Sequence, residues 1–139
     1  MPYQQPSLVR LPVMEEPRGD LAIIEGGVHI PFAIGRVYYI YKIPGGAARG
    51  GHAHRTLQQL VVALAGSFDV HIDNGTSTVT YHLDRADTGL LIPPMHWRTL
   101  DSFTAGSVCL VVASDGYDEA DYIRDPDEFS REAGGRTAP

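Results

Sequence analysis

Two histidines separated by one residue, His52 and His54, lie in the glycine-flanked stretch GGAARGGHAHR. In an extended strand successive side chains point to opposite faces, so these two project to the same side, about 7 Å apart along the backbone. They therefore line one pocket or one surface. An imidazole can bind a metal ion, transfer protons or fill a core, and the spacing alone leaves all three roles open.

The glycines on either side of the pair favour a pocket. Gly45-Gly46 and Gly50-Gly51 leave room for a ligand to approach the backbone, or for a bend at the mouth of a barrel. Because an imidazole titrates near pH 6.5, two of them in one pocket suit proton transfer to neighbouring atoms of a substrate. A carbonyl shift needs this chemistry: one proton leaves the carbon beside a ketone, an enediol forms, and one proton returns to the adjacent carbon. Such a reaction demands no cofactor.

Short β-branched and aromatic runs separated by turn residues position this stretch, a pattern typical of an all-β sandwich or barrel. We expect strands over 21–26, 35–43, 51–67 (one bent strand or two), 67–74, 77–83, 89–94 and 107–114. Asn74-Gly75 between two alternating runs predicts a tight type I′ hairpin. After Ala113 the chain becomes acidic and predicts at most one short helical turn.

Length and composition predict one globular domain. We expect an N-terminal extension over 1–16, the domain over 17–130 and a glycine-rich tail over 131–139. The net charge of −6 and the scattered basic residues argue against a nucleic-acid partner. Neither a signal peptide nor a membrane span is visible, which predicts a cytoplasmic protein.

Three further side chains are read as structural. Cys109 lies in an apolar run and is predicted to be buried on a strand. His71 and His82 fall on the polar face of their strands, so we expect them to face solvent.

The spacing around the pair resembles the first motif of the cupin superfamily. Gly46, five residues, His52-x-His54, four residues, Gln59, six residues and Gly66 follow that motif, with Gln59 where metal-binding cupins carry glutamate. The resemblance implies a double-stranded β-helix, or jelly roll.

The second cupin motif bears on metal binding. Its histidine ligand comes from a later strand after a proline-containing turn, and in LLIPPMHWRTL the corresponding position is Arg98. A guanidinium cannot donate a lone pair to a metal, so we predict no metal and no cofactor. His96, within one register step of that position, keeps a metal-dependent alternative open.

Three signatures, RVYYIY, RGGHAH and YDEADYIR, narrow the resemblance to the nucleotide-sugar 3,4-ketoisomerases of the FdtA/QdtA type, over roughly residues 17–130. The resemblance implies a metal-independent conversion of dTDP-4-keto-6-deoxy-D-glucose to a 3-keto-6-deoxy isomer. The product would feed an aminotransferase that makes a 3-amino-3,6-dideoxy sugar. Members of the family are dimers whose first strands cross between subunits, which implies a homodimer here.

The same resemblance assigns roles to individual residues. His52 and His54 become the acid/base pair, and Tyr38, with Tyr39 as the alternative if strand parity is reversed, hydrogen-bonds the enediolate oxygen or packs in the core. The remaining substrate-binding candidates are Arg49 for a sugar or diphosphate oxygen, Arg36 and Arg98 for the diphosphate, and Gln59. Trp97 is a candidate for the thymine or the sugar pocket, or else for the core or a dimer interface. Arg18 is included because its pairing with Gly19 resembles the galacto-forming members. Tyr122 and Arg124 are expected to hold the fold or an interface.

Three competing functions stay open on the sequence. One is a metal-dependent cupin enzyme, and another is a non-catalytic module that binds sugar nucleotides. The third is a 3,5-epimerase, a related jelly roll that uses a single histidine with an acidic partner. The histidine pair favours migration of the ketone over epimerisation.

Overall fold

The computed structural model describes residues 4–134, which form two five-stranded antiparallel sheets, a two-stranded ribbon and a C-terminal helix. The strands are β1 Ser7–Arg10, β2 Val13–Met14, β3 Leu21–Ala22, β4 Arg36–Ile40, β5 Arg49–His54, β6 Gln59–Ala65, β7 Phe68–Asp73, β8 Thr78–Leu83, β9 Thr88–Ile92, β10 Trp97–Asp101, β11 Val108–Ala113 and β12 Tyr122–Ile123. A single 3-10 turn covers Glu119–Asp121, and helix α1 covers Pro126–Ala133.

The two large sheets are interleaved along the chain. The first sheet has the order β1-β9-β6-β11-β4 and the second the order β12-β5-β10-β7-β8, whereas β2 and β3 form the ribbon. From β4 to β12 the chain changes sheet at almost every connection, and only the β7–β8 hairpin stays within one sheet. This alternation is the jelly-roll arrangement, and it confirms the predicted all-β cupin fold.

Strand alternation places the core between the sheets. On β7 the side chains of Phe68, Val70 and Ile72 point inward and are almost fully buried, whereas the intervening residues face outward. Burial of each such side chain contributes about 1.5–3 kcal/mol relative to leaving it exposed. A second apolar cluster joins Leu60 and Val62 of β6 to Phe32, so the N-terminal segment covers the outer face of the first sheet.

The predicted strands correspond to observed ones with some differences. The run 51–67 is two strands, β5 and β6, while the run 21–26 contributes only the two residues of β3. Ser7–Arg10, within the range 1–16 assigned to an extension, pairs with β9 of the same chain at the edge of the first sheet. The domain boundaries themselves stay predictions, and residues 135–139 of the predicted tail lie outside the described part of the chain.

The C-terminal helix is longer than the one short turn that was expected. Asp125 caps its first turn by accepting a hydrogen bond from the Asp127 amide, and Pro126 occupies the first helical position, where a missing N–H costs nothing. Phe129 and Ala133, four residues apart, are buried against Ala53 and Ile123. Packing on the second sheet therefore stabilises a segment in which half of the residues are charged.

The β7–β8 hairpin is present, but its turn is not of type I′. Asp73 and Thr78 close a four-residue loop, and Asn74 does not adopt the positive φ that a type I′ turn requires, whereas Gly75 does at φ 100°. The Asn74 side chain instead accepts hydrogen bonds from the amides of Thr76 and Ser77. This local capping stabilises a wider turn than the dipeptide alone predicts.

The residues read as structural are placed largely as expected. Cys109 is fully buried on β11. His82 is exposed beside Asp69, and His71 is half-buried between Thr80 and Asp101. No helix among residues 4–134 is long and apolar enough to cross a membrane.

Candidate active site

A cavity of about 540 Å³ opens between the two sheets. Its polar lining consists of Arg36 and Tyr38 from β4, Arg49 and His52 from β5, Gln59 from β6, Arg98 from β10, Tyr122 from β12, and Arg124 just beyond it. Apolar side chains, among them Val61, Ile92 and Val111, form the rest of the lining. A concave cavity that combines convergent polar groups with an apolar wall is a candidate small-molecule site, and its four arginines favour an anionic ligand.

The alternation of strand faces along β4 places Tyr38, and not Tyr39, in the cavity. Along β4 exposed and half-buried residues alternate, which turns Tyr38 into the cavity and leaves Tyr39 61% exposed on the outside. The Tyr38 hydroxyl accepts a hydrogen bond from Gln59 Nε2 at 3.3 Å. Burial raises the pKa of Tyr38, so its phenol stays protonated at neutral pH and can donate.

The two histidines project to the same side of β5, as predicted, but they border different spaces. Their ring centroids are 4.9 Å apart and the rings are nearly perpendicular. His52 lines the main cavity, whereas His54 is buried and lines a second cavity of about 300 Å³. The Nδ1 atom of His52 and both ring nitrogens of His54 are buried and make no hydrogen bond of normal geometry, although a carboxylate oxygen of Asp121 lies 3.3 Å from His54 Nδ1.

Both rings are held in the neutral form. Burial, with a smaller contribution from the Arg98 guanidinium, lowers the pKa of His52 to about 4. Burial and the same guanidinium lower the pKa of His54 as well. A neutral imidazole has a free lone pair, so His52 can accept a proton at neutral pH.

Gly50 sets the path of β5 immediately before the pair. It adopts φ 85°, and a Cβ at this position would lie 2.9 Å from the Arg98 carbonyl oxygen. The pairing of β10 with β5 shifts register between Arg98 and Thr99, so Arg98 pairs with His52. Glycine is required here because the backbones approach too closely for any side chain.

Arg98 is a buried cation fixed from two sides. Its Nη1 donates to Gln59 Oε1 at 2.5 Å, and its Nε and Nη2 donate to the His96 carbonyl oxygen. Burial lowers its pKa to about 10, which leaves the guanidinium charged at neutral pH. Arg98, predicted from the sequence to correspond to a metal-ligand position of metal-binding cupins, therefore holds a fixed positive charge.

Three residues of the site were not predicted as site residues. Tyr122 and Arg124, assigned to the fold or an interface, line the main cavity, and the Arg124 guanidinium lies 4.1 Å above the Tyr122 ring. The Tyr122 ring centroid is 5.0 Å from that of His52 and 4.3 Å from that of His54. Asp121 places Oδ2 3.3 Å from His54 Nδ1. The available signal was the YDEADYIR signature, which contains all three residues.

Two predicted substrate-binding residues do not reach the cavity. Trp97 is adjacent to Arg98 on β10, so alternation turns it to the other face, where it packs 5.8 Å from the Phe129 ring. Trp97 therefore packs outside this chain's own cavity, and its assignment to the thymine stays a prediction. The Arg18 side chain is 93% exposed and lies 3.8 Å from Glu16, outside the cavity lining.

His96 does not join the histidine pair. It is buried outside the cavity lining, and its Nδ1 lies 2.9 Å from the Pro94 carbonyl oxygen. Met95 before it adopts φ 60°, outside the extended conformation of a strand. The alternation of strand faces therefore does not place His96 on the same face as Arg98. Within the described range 4–134, no group of three or more His, Cys, Asp or Glu side chains is placed to hold a metal ion.

Comparison with known proteins gives a consistent set of matches. A family model described as FdtA: WxcM-like, C-terminal, matches residues 4–134. A curated protein from Aneurinibacillus thermoaerophilus, named TDP-4-oxo-6-deoxy-alpha-D-glucose-3,4-oxoisomerase, is 44% identical over 114 residues, which are 82% of each chain.

Solved structures give the same result. A point mutant of the 3,4-ketoisomerase QdtA from Thermoanaerobacterium thermosaccharolyticum, in complex with TDP-4-keto-6-deoxyglucose, superposes with a TM-score of 0.92 at 38% identity and covers 94% of this chain and 95% of its own. The WlaRB TDP-quinovose 3,4-ketoisomerase from Campylobacter jejuni gives a TM-score of 0.88 at 38% identity, covering 93% and 99%.

Proposed function

The chain belongs to the FdtA, WxcM-like C-terminal family, and from that premise we propose that it is a sugar 3,4-ketoisomerase converting dTDP-4-keto-6-deoxy-D-glucose to its 3-keto-6-deoxy isomer. The observation that carries the proposal is His52, a neutral imidazole that lines a cavity together with two tyrosine phenols and four arginines. Two relatives support the substrate, since one is named for this keto sugar and the other holds it in its structure.

The reaction is an internal exchange of protons, and His52 is placed to carry it. His52 takes the C3 proton while the C3–C4 double bond forms and the C4 carbonyl oxygen becomes a hydroxyl. The C3 hydroxyl then loses its proton as the C3 carbonyl forms and C4 takes up a proton. Protons lost and gained balance, and the sugar as a whole is neither oxidised nor reduced.

The negative charge that develops on the sugar oxygens meets three fixed groups. The protonated Tyr38 phenol can donate a hydrogen bond, and the Arg98 guanidinium supplies positive charge in a dry part of the cavity. Gln59 contacts both of them, so their positions are set before the substrate arrives. Groups held in place in this way stabilise a charged intermediate without reorganising during the reaction.

Three arginines besides Arg98, namely Arg36, Arg49 and Arg124, line the same cavity. The Arg124 guanidinium donates two hydrogen bonds to Glu119, whereas the buried Nε of Arg36 has no hydrogen-bond partner. Arginine binds phosphate oxygens through charge-assisted hydrogen bonds in a fork geometry. We assign the diphosphate to this arginine group.

We infer the galacto configuration at C4 from the Arg18-Gly19 pair, which resembles the galacto-forming members. The overall sequence identity to known ketoisomerases does not support the galacto configuration. WlaRB, which is 38% identical to this chain, is named for quinovose, the 6-deoxy sugar of the gluco series. We also infer that the product is a substrate for an aminotransferase acting at C3.

The test is incubation of the purified protein with dTDP-4-keto-6-deoxyglucose in the presence of EDTA, followed by NMR of the product. We expect a C3 carbonyl and a C4 proton coupled as in the galacto series. An unchanged substrate contradicts the enzyme assignment and supports a binding module. Activity that EDTA abolishes and a stoichiometric metal restores contradicts the metal-independent reaction.

A 3,5-epimerase is the second candidate, because the structure gives His54 the acidic partner, Asp121, that distinguishes such an enzyme. An epimerase would also remove the proton at C5, which the isomerase leaves in place. In deuterium oxide an epimerase product carries deuterium at C5 with the ketone still at C4. The same NMR spectrum therefore separates the two activities.

A further inference from the structure

Gln59 of β6 is a buried cavity residue that joins the two sheets. It is 2% exposed and lines the main cavity. Its side-chain amide contacts Arg98, on β10 of the second sheet, and Tyr38, on β4 of the first sheet. A buried polar side chain that is bonded to both groups can control how each of them meets a ligand.

The chemistry of Arg98 fixes the orientation of the Gln59 amide. A guanidinium has hydrogen-bond donors and no acceptor, so the atom that contacts Arg98 Nη1 at 2.5 Å must be the amide oxygen Oε1. Arg98 is also held by two hydrogen bonds to the His96 carbonyl oxygen, so its position does not depend on Gln59 alone. The amide nitrogen of Gln59 therefore points away from Arg98.

That orientation decides which way the Tyr38 hydroxyl points. Gln59 Nε2 can only donate, and it lies 3.3 Å from the Tyr38 hydroxyl oxygen, which must therefore accept. The hydroxyl hydrogen of Tyr38 is then turned away from Gln59, and Tyr38 lines the cavity. Burial raises the pKa of Tyr38, whereas the hydrogen bond from Gln59 lowers it, as a donor to the phenol oxygen should. The phenol thus keeps its own hydrogen for a ligand.

The lack of charge on Gln59 matters as much as its orientation. A carboxylate in its place would form an ion pair with the buried guanidinium and neutralise the positive charge that Arg98 presents to the cavity. It would also accept the Tyr38 hydrogen, because carboxylate oxygens only accept hydrogen bonds. The amide supports both neighbours and leaves the charge of one and the hydrogen of the other available.

We propose that Gln59 is a positioning residue that directs the Tyr38 hydrogen into the cavity and leaves the Arg98 charge uncompensated, so that both groups stabilise the sugar oxygen that becomes negative in the enediolate. Gln59 acts through its two neighbours, which differs from the substrate contact predicted from the sequence. No bond forms or breaks at Gln59. This inference rests on the proposed 3,4-ketoisomerase activity.

Gln59→Glu tests the inference with a side chain of nearly the same shape. The carboxylate should take the Tyr38 hydrogen and pair with Arg98, so kcat should fall by about 10²-fold, the scale for the loss of one oriented donor. TDP binding, measured by calorimetry, should be retained, because the lost interactions act on charge that develops only during the reaction. EDTA in every assay excludes a metal ion recruited by the new carboxylate, and circular dichroism verifies the fold.

Gln58→Glu is the matched control. It makes the same substitution one residue earlier, and Gln58 lines neither of the two cavities described above. The Gln58 backbone amide donates to Ser114 Oγ, a contact that the substitution leaves in place. We expect wild-type kcat and KM. An equal loss of kcat in both variants would show that added negative charge alone slows the enzyme, which overturns the inference.

A spectroscopic measurement tests the direction of the hydrogen bond independently of turnover. In protein labelled with fluorotyrosine, the fluorine resonance of Tyr38, assigned by its loss in Tyr38→Phe, reports ionisation of that phenol. Gln59→Glu should raise the pKa of Tyr38 above its value in the wild type, because a neighbouring carboxylate opposes formation of a phenolate. Gln58→Glu should leave it unchanged. An unchanged pKa of Tyr38 in Gln59→Glu overturns the inference.

A double variant tests whether Gln59 and Tyr38 act as one unit. In the Tyr38→Phe background, Gln59→Glu should cost less activity than in the wild type, since part of its effect acts through the missing hydroxyl. Fully additive losses contradict the proposed role. If Gln59→Glu does not fold, Tyr38→Phe decides alone: a wild-type kcat in that variant overturns the inference, and a large loss supports it. A wild type that does not isomerise the sugar contradicts the proposed function, and the positioning role fails with it.

Discussion

His52 and Arg98 are paired residues of adjacent strands, and the charge of Arg98 adds to the effect of burial on His52. Burial first, and the guanidinium second, oppose protonation of the imidazole, so the free protein holds a base with a low pKa. A bound diphosphate brings negative charge into the same cavity and therefore favours the imidazolium. If the arginine group binds the diphosphate as proposed, substrate binding raises the pKa of His52 and strengthens it as a base.

Replacement of His52 by asparagine should abolish most of the activity. His52→Asn keeps a polar side chain in the cavity but cannot transfer a proton at neutral pH, so kcat should fall by at least about 10²-fold. TDP binding, measured by calorimetry, should persist because the arginines are untouched. His71→Asn, on the outer face of β7, is the control and should leave turnover unchanged. Full activity in His52→Asn would show that another residue is the base.

The activity should fall in acid as His52 becomes protonated. Since the pKa of His52 is lowered to about 4, the neutral ring dominates above that pH, and kcat/KM of the free enzyme should decline only below about pH 4.

The lowered pKa of His52 also makes the stability of the fold depend on pH. The unfolded chain, with an ordinary histidine pKa near 6.5, binds more protons between the two values, so stability is full above pH 6.5 and is lost toward pH 4. Steady-state kinetics and thermal melting between pH 3.5 and 8, within roughly this window, measure both effects. An acid limb near pH 6.5 would contradict the neutral, buried state of His52.

At the scale of elements, Arg55 connects β5 to the segment that carries the additional site residues. Its guanidinium donates to the carbonyl oxygens of Ala120 and Tyr122 and forms ion pairs with Glu128 and Glu132 of helix α1. The two carbonyls flank Asp121. Arg55 therefore joins the helix and β12 to the strand that bears the histidines.

Arg55→Lys should weaken this connection while keeping the charge. A lysine has no fork geometry and cannot serve two carbonyls and two carboxylates together, so we expect a loss of about 1 kcal/mol in stability, the scale of one net hydrogen bond. Activity should fall as well, because Asp121 and Tyr122 lose a support. Urea unfolding and turnover measure the two effects. Arg85→Lys, whose ion pair with Asp87 stays within one loop, should change neither. Equal stability of Arg55→Lys and the wild type would limit the role of Arg55 to surface charge.

At the scale of the whole molecule, an acidic protein presents a basic cavity. The net charge is −6, yet four arginines line the site. The exposed apolar side chains of β4, Val37 and Tyr39, lie on the face turned away from that cavity. The family resemblance predicts a homodimer with exchanged first strands, and the single chain pairs β1 with its own β9.

Light scattering measures the predicted assembly directly. We expect a mass of twice 15.1 kDa for the purified protein at micromolar concentration. Deletion of residues 4–10, which contain β1, should lower that mass toward the monomer if this strand is exchanged. Substitution of Arg10 by lysine leaves the strand intact and is the control. A monomeric wild type would contradict the dimer.

The sequence by itself determined the class of fold and the centre of the site. Alternating and apolar runs are local features, so most strands of β4–β11 were predictable, and the two-residue period placed His52 and His54 on one side of β5. The same period left a choice between Tyr38 and Tyr39, because parity identifies two faces without saying which one is the inside.

Only the tertiary structure decided what surrounds the histidines. Asp121, Tyr122 and Arg124 reach the site because β12 pairs with β5, with Tyr122 opposite His54, and no local pattern encodes a pairing between segments so far apart in the chain. The division between Arg98 inside and Trp97 outside likewise depends on the register of β10 against β5. A register shift of one residue exchanges the faces of every side chain on a strand, and that register is set by packing of the whole molecule.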